Sequence, residues 1–153
     1  MVGVSLGNGK FYAMGGRSMD GVGNEFTHPF EYDSVSNTWT IKSATYPDNQ
    51  VNNMACAGLI DAGTPYIYCV GGSAGGQTTA TDRVFRYEPV TDSITTIPSP
   101  WPGNADGITL PGGFTNFLNN KLYILGGFRI TTATPTPRPT PVPRPHPSPA
   151  PRP

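Results

Sequence analysis

The chain has 153 residues and a formal net charge of zero, with 13% charged side chains, 19 glycines, 18 prolines and two cysteines. The charge divides unevenly: residues 1–134 carry ten acidic and seven basic side chains, whereas the remainder holds Arg138, Arg144 and Arg152 and no acid. That balance argues against a basic face for nucleic acid, no apolar run approaches the ~18 residues of a helical membrane span, and "VGVSLGNGK" after Met1 lacks the basic and long apolar regions of a signal peptide.

Low charge with many Thr, Ser, Asn and Gly points to an all-β chain, and the elements in chain order form a repeat. A first unit contains "FYAMGG" (Phe11–Gly16), "FEYDSVSNTW" (Phe30–Trp39) and "YPDN" (Tyr46–Asn49). A second contains "IYCVGG" (Ile67–Gly72), "FRYEPVTDSI" (Phe85–Ile94) and "WPGN" (Trp101–Asn104), and a third begins with "LYILGG" (Leu122–Gly127). Corresponding blocks lie 55 or 56 residues apart, and several blocks holding one period define a true repeat.

Within the second unit, strands are predicted at Asn53–Ile60, Tyr66–Gly71, Asp82–Glu88 and Ser93–Ile97, separated by "DAGT", "GSAGGQTTAT" and "PVTD". Asn37 and Asp92 tolerate the left-handed conformation that closes a turn. No segment combines a helical period with caps, so helix content should be near zero. The second strand of each unit is apolar on both faces: Phe11 and Ala13 oppose Tyr12 and Met14, Ile67 and Cys69 oppose Tyr68 and Val70, Leu122 and Ile124 oppose Tyr123 and Leu125. Such a strand must be covered on both sides, as in the stacked four-stranded blades of a β-propeller.

The units resemble the kelch repeat family, whose second strand ends in Gly-Gly, followed by a Tyr before a turn and a Trp several residues later. Gly15, Gly16, Tyr32 and Trp39 match in the first unit. Gly71, Gly72 and Tyr87 match in the second, where Ile94 replaces the tryptophan; Gly126 and Gly127 match in the third, which lacks its second half. The resemblance implies a kelch-type β-propeller fragment of four-stranded antiparallel blades over residues 1–133, with blades at about 2–42 and 53–97 and a half blade at 111–130. Residues 134–153, which lie outside the residues described below, are expected to be a disordered proline-rich tail. Two and a half blades do not close a ring of four to eight, so the chain reads as the C-terminal piece of a longer propeller, open to self-association through its exposed blade edges.

Candidate chemistry is sparse. "GGSAGG" at Gly71–Gly76 lacks the Gly-Lys-Ser/Thr of a phosphate loop and is followed by a strand rather than a helix, so nucleotide binding is not expected. The glycine pairs read as structural, permitting sharp turns and close blade approach. Two distant histidines, His28 before a proline in a strand and His146 in the tail, do not fit the tyrosine–histidine copper site of galactose-oxidase-like relatives. No metal or cofactor is expected, and no paired carboxylates or nucleophile elbow suggest catalysis. Asp20, Asp48 and Asp106 lie in predicted loops.

If a hairpin turns at Asp61–Thr64, residues whose numbers sum to 125 face each other, which sets Cys56 opposite Cys69. A disulfide is compatible with that register; two buried thiols filling the core are the alternative. The second–third loops and the blade-to-blade links, Arg17–Glu25, Ser73–Thr81, Ser43–Asn52 and Pro98–Asp106, fall on one side. Loops on rigid β scaffolds tend to carry function, and the resemblance implies partner binding there. Arg17, Asp20, Asn49, Trp101 and Asn104 are the candidate contacts, although Tyr46 in the slot equivalent to Trp101 argues for packing.

In the tail every second residue from Pro135 to Pro153 is proline, which favours a polyproline II spacer reaching ~60 Å at ~3.1 Å per residue. All these prolines fall at odd positions, so the PxxP motif cannot occur. Alternating Thr-Pro and Arg-Pro resembles the tails of secreted or surface bacterial proteins, which favours an extracellular or cell-surface setting. The expected function is a non-catalytic binding module for a protein or carbohydrate partner. The alternative is a fragment of a propeller enzyme, galactose-oxidase-like or sugar-processing, with its catalytic residues outside this chain.

Overall fold

The computed structural model describes residues 1–19, 26–48, 52–74, 79–116 and 119–129. The described residues are all-β, with two four-stranded antiparallel sheets followed by a hairpin. Sheet 1 comprises β1 (Val2–Ser5), β2 (Lys10–Met14), β3 (Phe30–Asp33) and β4 (Thr38–Ile41), paired in chain order. After it come β5 (Ala55–Asp61) and β6 (Thr64–Val70), the two-residue ribbon β7 (Ser73–Ala74) and β8 (Thr79–Ala80), then β9 (Val84–Glu88) and β10 (Ser93–Thr96). Sheet 2 has the order β5-β6-β9-β10. A single 3-10 turn at Pro102–Asn104 precedes the hairpin of β11 (Gly113–Asn116) and β12 (Lys121–Ile124).

Strand boundaries depart from expectation where the backbone is left-handed. β5 begins at Ala55 rather than Asn53, because Asn53 sits at φ 54°. β6 stops at Val70 because Gly71 turns to φ 64°, and it starts at Thr64 because the turn occupies only Ala62 (φ 48°) and Gly63 (φ 85°). Positive φ at both central residues is the two-residue hairpin geometry whose twist matches the flanking strands. β9 begins at Val84 rather than Asp82, and the ribbon β7–β8 lies within what reads as a loop in the sequence. Asn37 (φ 56°) and Asp92 (φ 49°) close the third-to-fourth turns of the two sheets.

This turn geometry sets the register. Asp61 faces Thr64 and, five rungs on, Cys56 faces Cys69; the two cysteines are joined in a disulfide. Closing a loop of this size stabilises the fold by roughly 3 kcal/mol on a chain-entropy basis.

Directly opposed residues share a face of their sheet. One face of sheet 2 therefore carries Cys56, Cys69 and Phe85 in one row and Ile67, Tyr87 and Ile94 in the next. Against it lie Val4, Tyr12 and Met14 of sheet 1 together with Ala44 and Tyr46 from the link between the sheets. Ile67, Cys69, Phe85, Tyr87 and Met14 are completely buried in this joint. The rings of Tyr12 and Tyr87 meet edge-on at 6.2 Å, and those of Tyr46 and Phe85 at 5.7 Å. Burying each large apolar side chain contributes about 1.5–3 kcal/mol, so this joint is the principal core. First strands sit side by side, β5 against both β1 and β11, while the fourth strand of sheet 1 is wholly exposed.

Polar clasps hold the units in register. The Asp92 carboxylate accepts the backbone N–H of Ser43 at 2.7 Å and of Ala44 at 3.4 Å, and the Tyr87 hydroxyl at 3.1 Å. Burial pushes the Asp92 carboxyl up, but these donors outweigh it and hold the group below its ordinary range. Glu31, itself buried, is pushed the same way by burial but is held ionised and low by Lys10 at 2.6 Å and Lys42 at 3.5 Å. Asn120 spans to the end of β5, accepting the Ile60 N–H at 2.8 Å and donating to the Ile60 carbonyl.

Two expectations follow. The folded-state pKa of Asp92 lies below its unfolded value, so its stabilisation is present above ~pH 4 and is lost as pH falls through the folded pKa. Urea midpoints at pH 6 and pH 3 should thus differ less in Asp92→Asn than in the parent. Separately, denatured unreduced protein should take up no thiol-alkylating reagent by mass spectrometry and two equivalents after reduction; two reactive thiols before reduction would contradict the bond.

Candidate functional site

Antiparallel connectivity puts the second-to-third connections and the inter-sheet links on one side of the molecule, and each connection opens with a glycine pair. All six glycines have positive φ: 62° and 101° at Gly15 and Gly16, 64° and 91° at Gly71 and Gly72, 70° and 141° at Gly126 and Gly127. Most are also crowded. A Cβ on Gly71 would lie 2.5 Å from the Trp101 ring, one on Gly72 would lie 2.2 Å from the Asn52 carbonyl oxygen, and one on Gly127 would lie 2.7 Å from Ile108. Beside Gly126 there is nothing within 4 Å.

The incoming link fills the space that the glycines leave. In the first unit Tyr46 enters, and its hydroxyl accepts the Gly15 N–H at 2.8 Å. Burial pushes that hydroxyl far above the ordinary tyrosine range, so it stays neutral. In the second unit Trp101 occupies the same slot, while the Gly71 N–H turns instead to the Arg83 carbonyl at 2.7 Å. Trp101 thus packs over Gly71 and Gly103 and is half-buried, a packing residue.

The other candidate contacts fall as follows. Arg17, half-buried, lines a concavity of about 460 Å³ with Met1, Gly16, Ser18, Met19, Asn52 and Asn53. Asn104 is exposed in the 3-10 turn of the next link, where its carbonyl caps the Gly107 N–H at 2.9 Å. Asp20 and Asn49 lie outside the described residues. Of the loop acids, Asp106 is exposed, and Asp48 pairs with the Arg83 guanidinium at 3.1 Å.

The sequence reading passed over Asn52 and Asn53. Asn52 is 3% exposed, and its side-chain oxygen accepts the Asn53 N–H at 2.9 Å. Its amide nitrogen has no partner among the described residues. Asn53 donates to the Ser73 hydroxyl at 2.8 Å. The signal was an adjacent amide pair directly ahead of a wholly apolar strand, where unpaired polar groups are costly. Arg17, Ser18, Asn52 and Asn53 thus line one polar hollow.

A second hollow of about 460 Å³ lies between Ser5, Leu6, Gly58, Leu59, Ile60, Pro65 and Asn120. Its walls are apolar, and the Asn120 amide is already committed to Ile60. His28 corrects an expectation: it lies in the bend before β3, not in a strand, and Nδ1 donates to the Ala44 carbonyl at 3.0 Å. No group of three or more His, Cys, Asp or Glu side chains with metal-ligand geometry occurs among the described residues, nor does a helix long and apolar enough to cross a membrane.

The glycine pairs yield a graded test. Gly126→Ala should cost only the left-handed backbone penalty of about 1–2 kcal/mol. Gly71→Ala should cost more, because overpacking against Trp101 adds about 1–3 kcal/mol. Urea unfolding of the two variants should rank them in that order; equal losses would show that Trp101 yields.

No protein-family model matches this chain, and no curated protein matches it in sequence.

Proposed function

We propose that the chain is part of a kelch-type β-propeller, two full blades and the inner half of a third, serving as a non-catalytic binding module. The repeated Gly-Gly at the end of each second strand, Tyr32 with Trp39, and the side-by-side first strands with outermost fourth strands support that architecture. Ile94 in place of the second tryptophan departs from the kelch pattern, but that residue belongs to an outer strand.

The observation that carries the functional reading is the donor-lined hollow of Arg17, Ser18, Asn52 and Asn53, where a second-to-third connection meets the link into the next unit. Its donors fit the acceptor oxygens of a protein loop or a carbohydrate. The Cys56–Cys69 bond and the alternating proline tail favour an oxidising, extracellular or surface setting.

Binding is tested by titrating isotope-labelled protein with neutral and uronic-acid oligosaccharides and with acidic peptides, reading backbone amide shifts. Shifts should cluster on residues 16–19 and 52–53. Arg17→Ala should weaken the interaction about tenfold or more, since a hydrogen bond to a charged group is worth about 1.5–3 kcal/mol. A ligand that shifts only other surfaces, or ignores Arg17→Ala, would overturn the assignment.

A further inference from the structure

The disulfide occupies one rung of a ladder, and the repeat shows what that rung holds elsewhere. Where Cys56 faces Cys69 in sheet 2, sheet 1 has Gly3 with Ala13 and the hairpin has Gly113 with Ile124. Sheet 2 alone is braced covalently there. The difference matters because of what lies beyond the rung. The β5–β6 ladder ends at Ala55 with Val70, and the backbone then turns left-handed on both sides, at Asn53 (φ 54°), Gly71 (64°) and Gly72 (91°). Pairing resumes at Asn52 with Ser73, in the register of the cysteines. Two bonds close that bridge: the Ser73 N–H donates to the Asn52 carbonyl at 3.0 Å, and the Asn53 side chain donates to the Ser73 hydroxyl at 2.8 Å. Asn52 and Asn53 are walls of the polar hollow.

The rung itself is sealed. Cys69 is 0% exposed and Cys56 7%, and both belong to the core shared with Val4, Tyr12 and Met14 of sheet 1. A thiolate must reach one sulfur to break the bond, so exchange depends on access. Access arises when sheet 1 lifts from sheet 2, a local opening of the joint.

We propose that the Cys56–Cys69 bond is a guarded redox latch on the polar hollow. Intact, it holds Asn52 and Ser73 in register across the left-handed break, and the joint between the sheets governs when a dithiol reductant can open it. In the opening step a reductant thiolate attacks one cysteine sulfur and expels the other as thiolate. The reductant's second thiolate then displaces the protein sulfur and leaves as a cyclic disulfide. The protein gains two electrons and two protons, and the dithiol supplies both. With the rung open, the bridge beyond the break loses its covalent anchor and the hollow loosens. The consequence for a ligand rests on the loop-side binding reading; the latch does not.

The guard is tested by treating native protein with dithiothreitol, quenching with an alkylating reagent and following mass. Native reduction should be about a hundredfold or more slower than reduction of urea-unfolded protein. Met14→Ala removes a completely buried side chain of the joint and should speed native reduction about tenfold or more. Should that variant fail to fold, the parent in sub-denaturing urea makes the same test. Native reduction as fast as in the unfolded chain, or unmoved by loosening the joint, would overturn the guard. The latch is tested without any ligand, by amide hydrogen exchange of oxidised and reduced parent. Reduction should speed exchange of the Ser73 N–H about tenfold or more. The Lys42 N–H, bonded to the Pro29 carbonyl at 2.9 Å in sheet 1, should change far less. Equal acceleration at both would show that the bond only stabilises the fold as a whole, and would overturn the latch. A ligand that ignores Arg17→Ala would overturn the loop-side reading and leave these rates as they are.

Discussion

The structure depends on the dry contact between sheet 1 and sheet 2. Neither sheet can bury an apolar strand on both faces by itself, and the second strand of each unit is apolar on both. Tyr12 and Met14 from one side and Ile67, Phe85 and Tyr87 from the other solve this jointly, with residual exposures of 0% or 1%. The other features position that contact. Asp92 holds the link at Ser43 and Ala44 so that Tyr46 enters beside Phe85, and the disulfide pins β5 to β6 within the joint itself. A half-buried carboxylate with three donors is a directional device, whereas the apolar joint is not. Together they give one packing geometry rather than a sliding stack.

The glycine pairs couple this core to the loop side. A strand that must end abruptly, and admit the next link at van der Waals distance, needs both a left-handed turn and no Cβ. Gly71 and Gly72 meet both demands, the first under Trp101 and the second against the Asn52 carbonyl. The same crowding that makes these positions structural brings Asn52 and Asn53 up to Arg17 and so creates the polar hollow. Packing and candidate binding surface are two sides of one constraint, which is why a run of glycines resembling a phosphate loop has no need of a phosphate.

Much of this was legible in the sequence because it rests on short-range rules. Strand alternation, turn residues at Asn37 and Asp92, and the cysteine register all follow from spacing once the two-residue turn at Ala62–Gly63 is placed. What was hidden depends on the approach of distant segments. Asn53 reads as a strand residue until its left-handed backbone and its bond to Ser73 place it at the hollow. Asn52 reads as loop, yet it is almost fully buried. Trp101 reads as a contact residue until Gly71 and Gly103 are found beneath its ring. The approach of Gly71 to Trp101 and of Ser73 to Asn53 joins segments that no local rule pairs. The repeat does specify part of it: Tyr46 in the slot of Trp101 already argued for packing.

The repeat also exposes an asymmetry that local rules cannot show. Equivalent residues have opposite fates: Phe85 is fully buried while Phe30, its counterpart, is only half-covered, and Met14 is sealed while Leu125 is 64% exposed. Composition is not the cause, since the apolar character of the faces is conserved from unit to unit. Phe11, Trp39 and Ile41 of sheet 1 and Leu125 after β12 keep the apolar pattern of the joint although all four are exposed among the described residues, so burial here is set by which sheet packs on which face and not by the pattern alone.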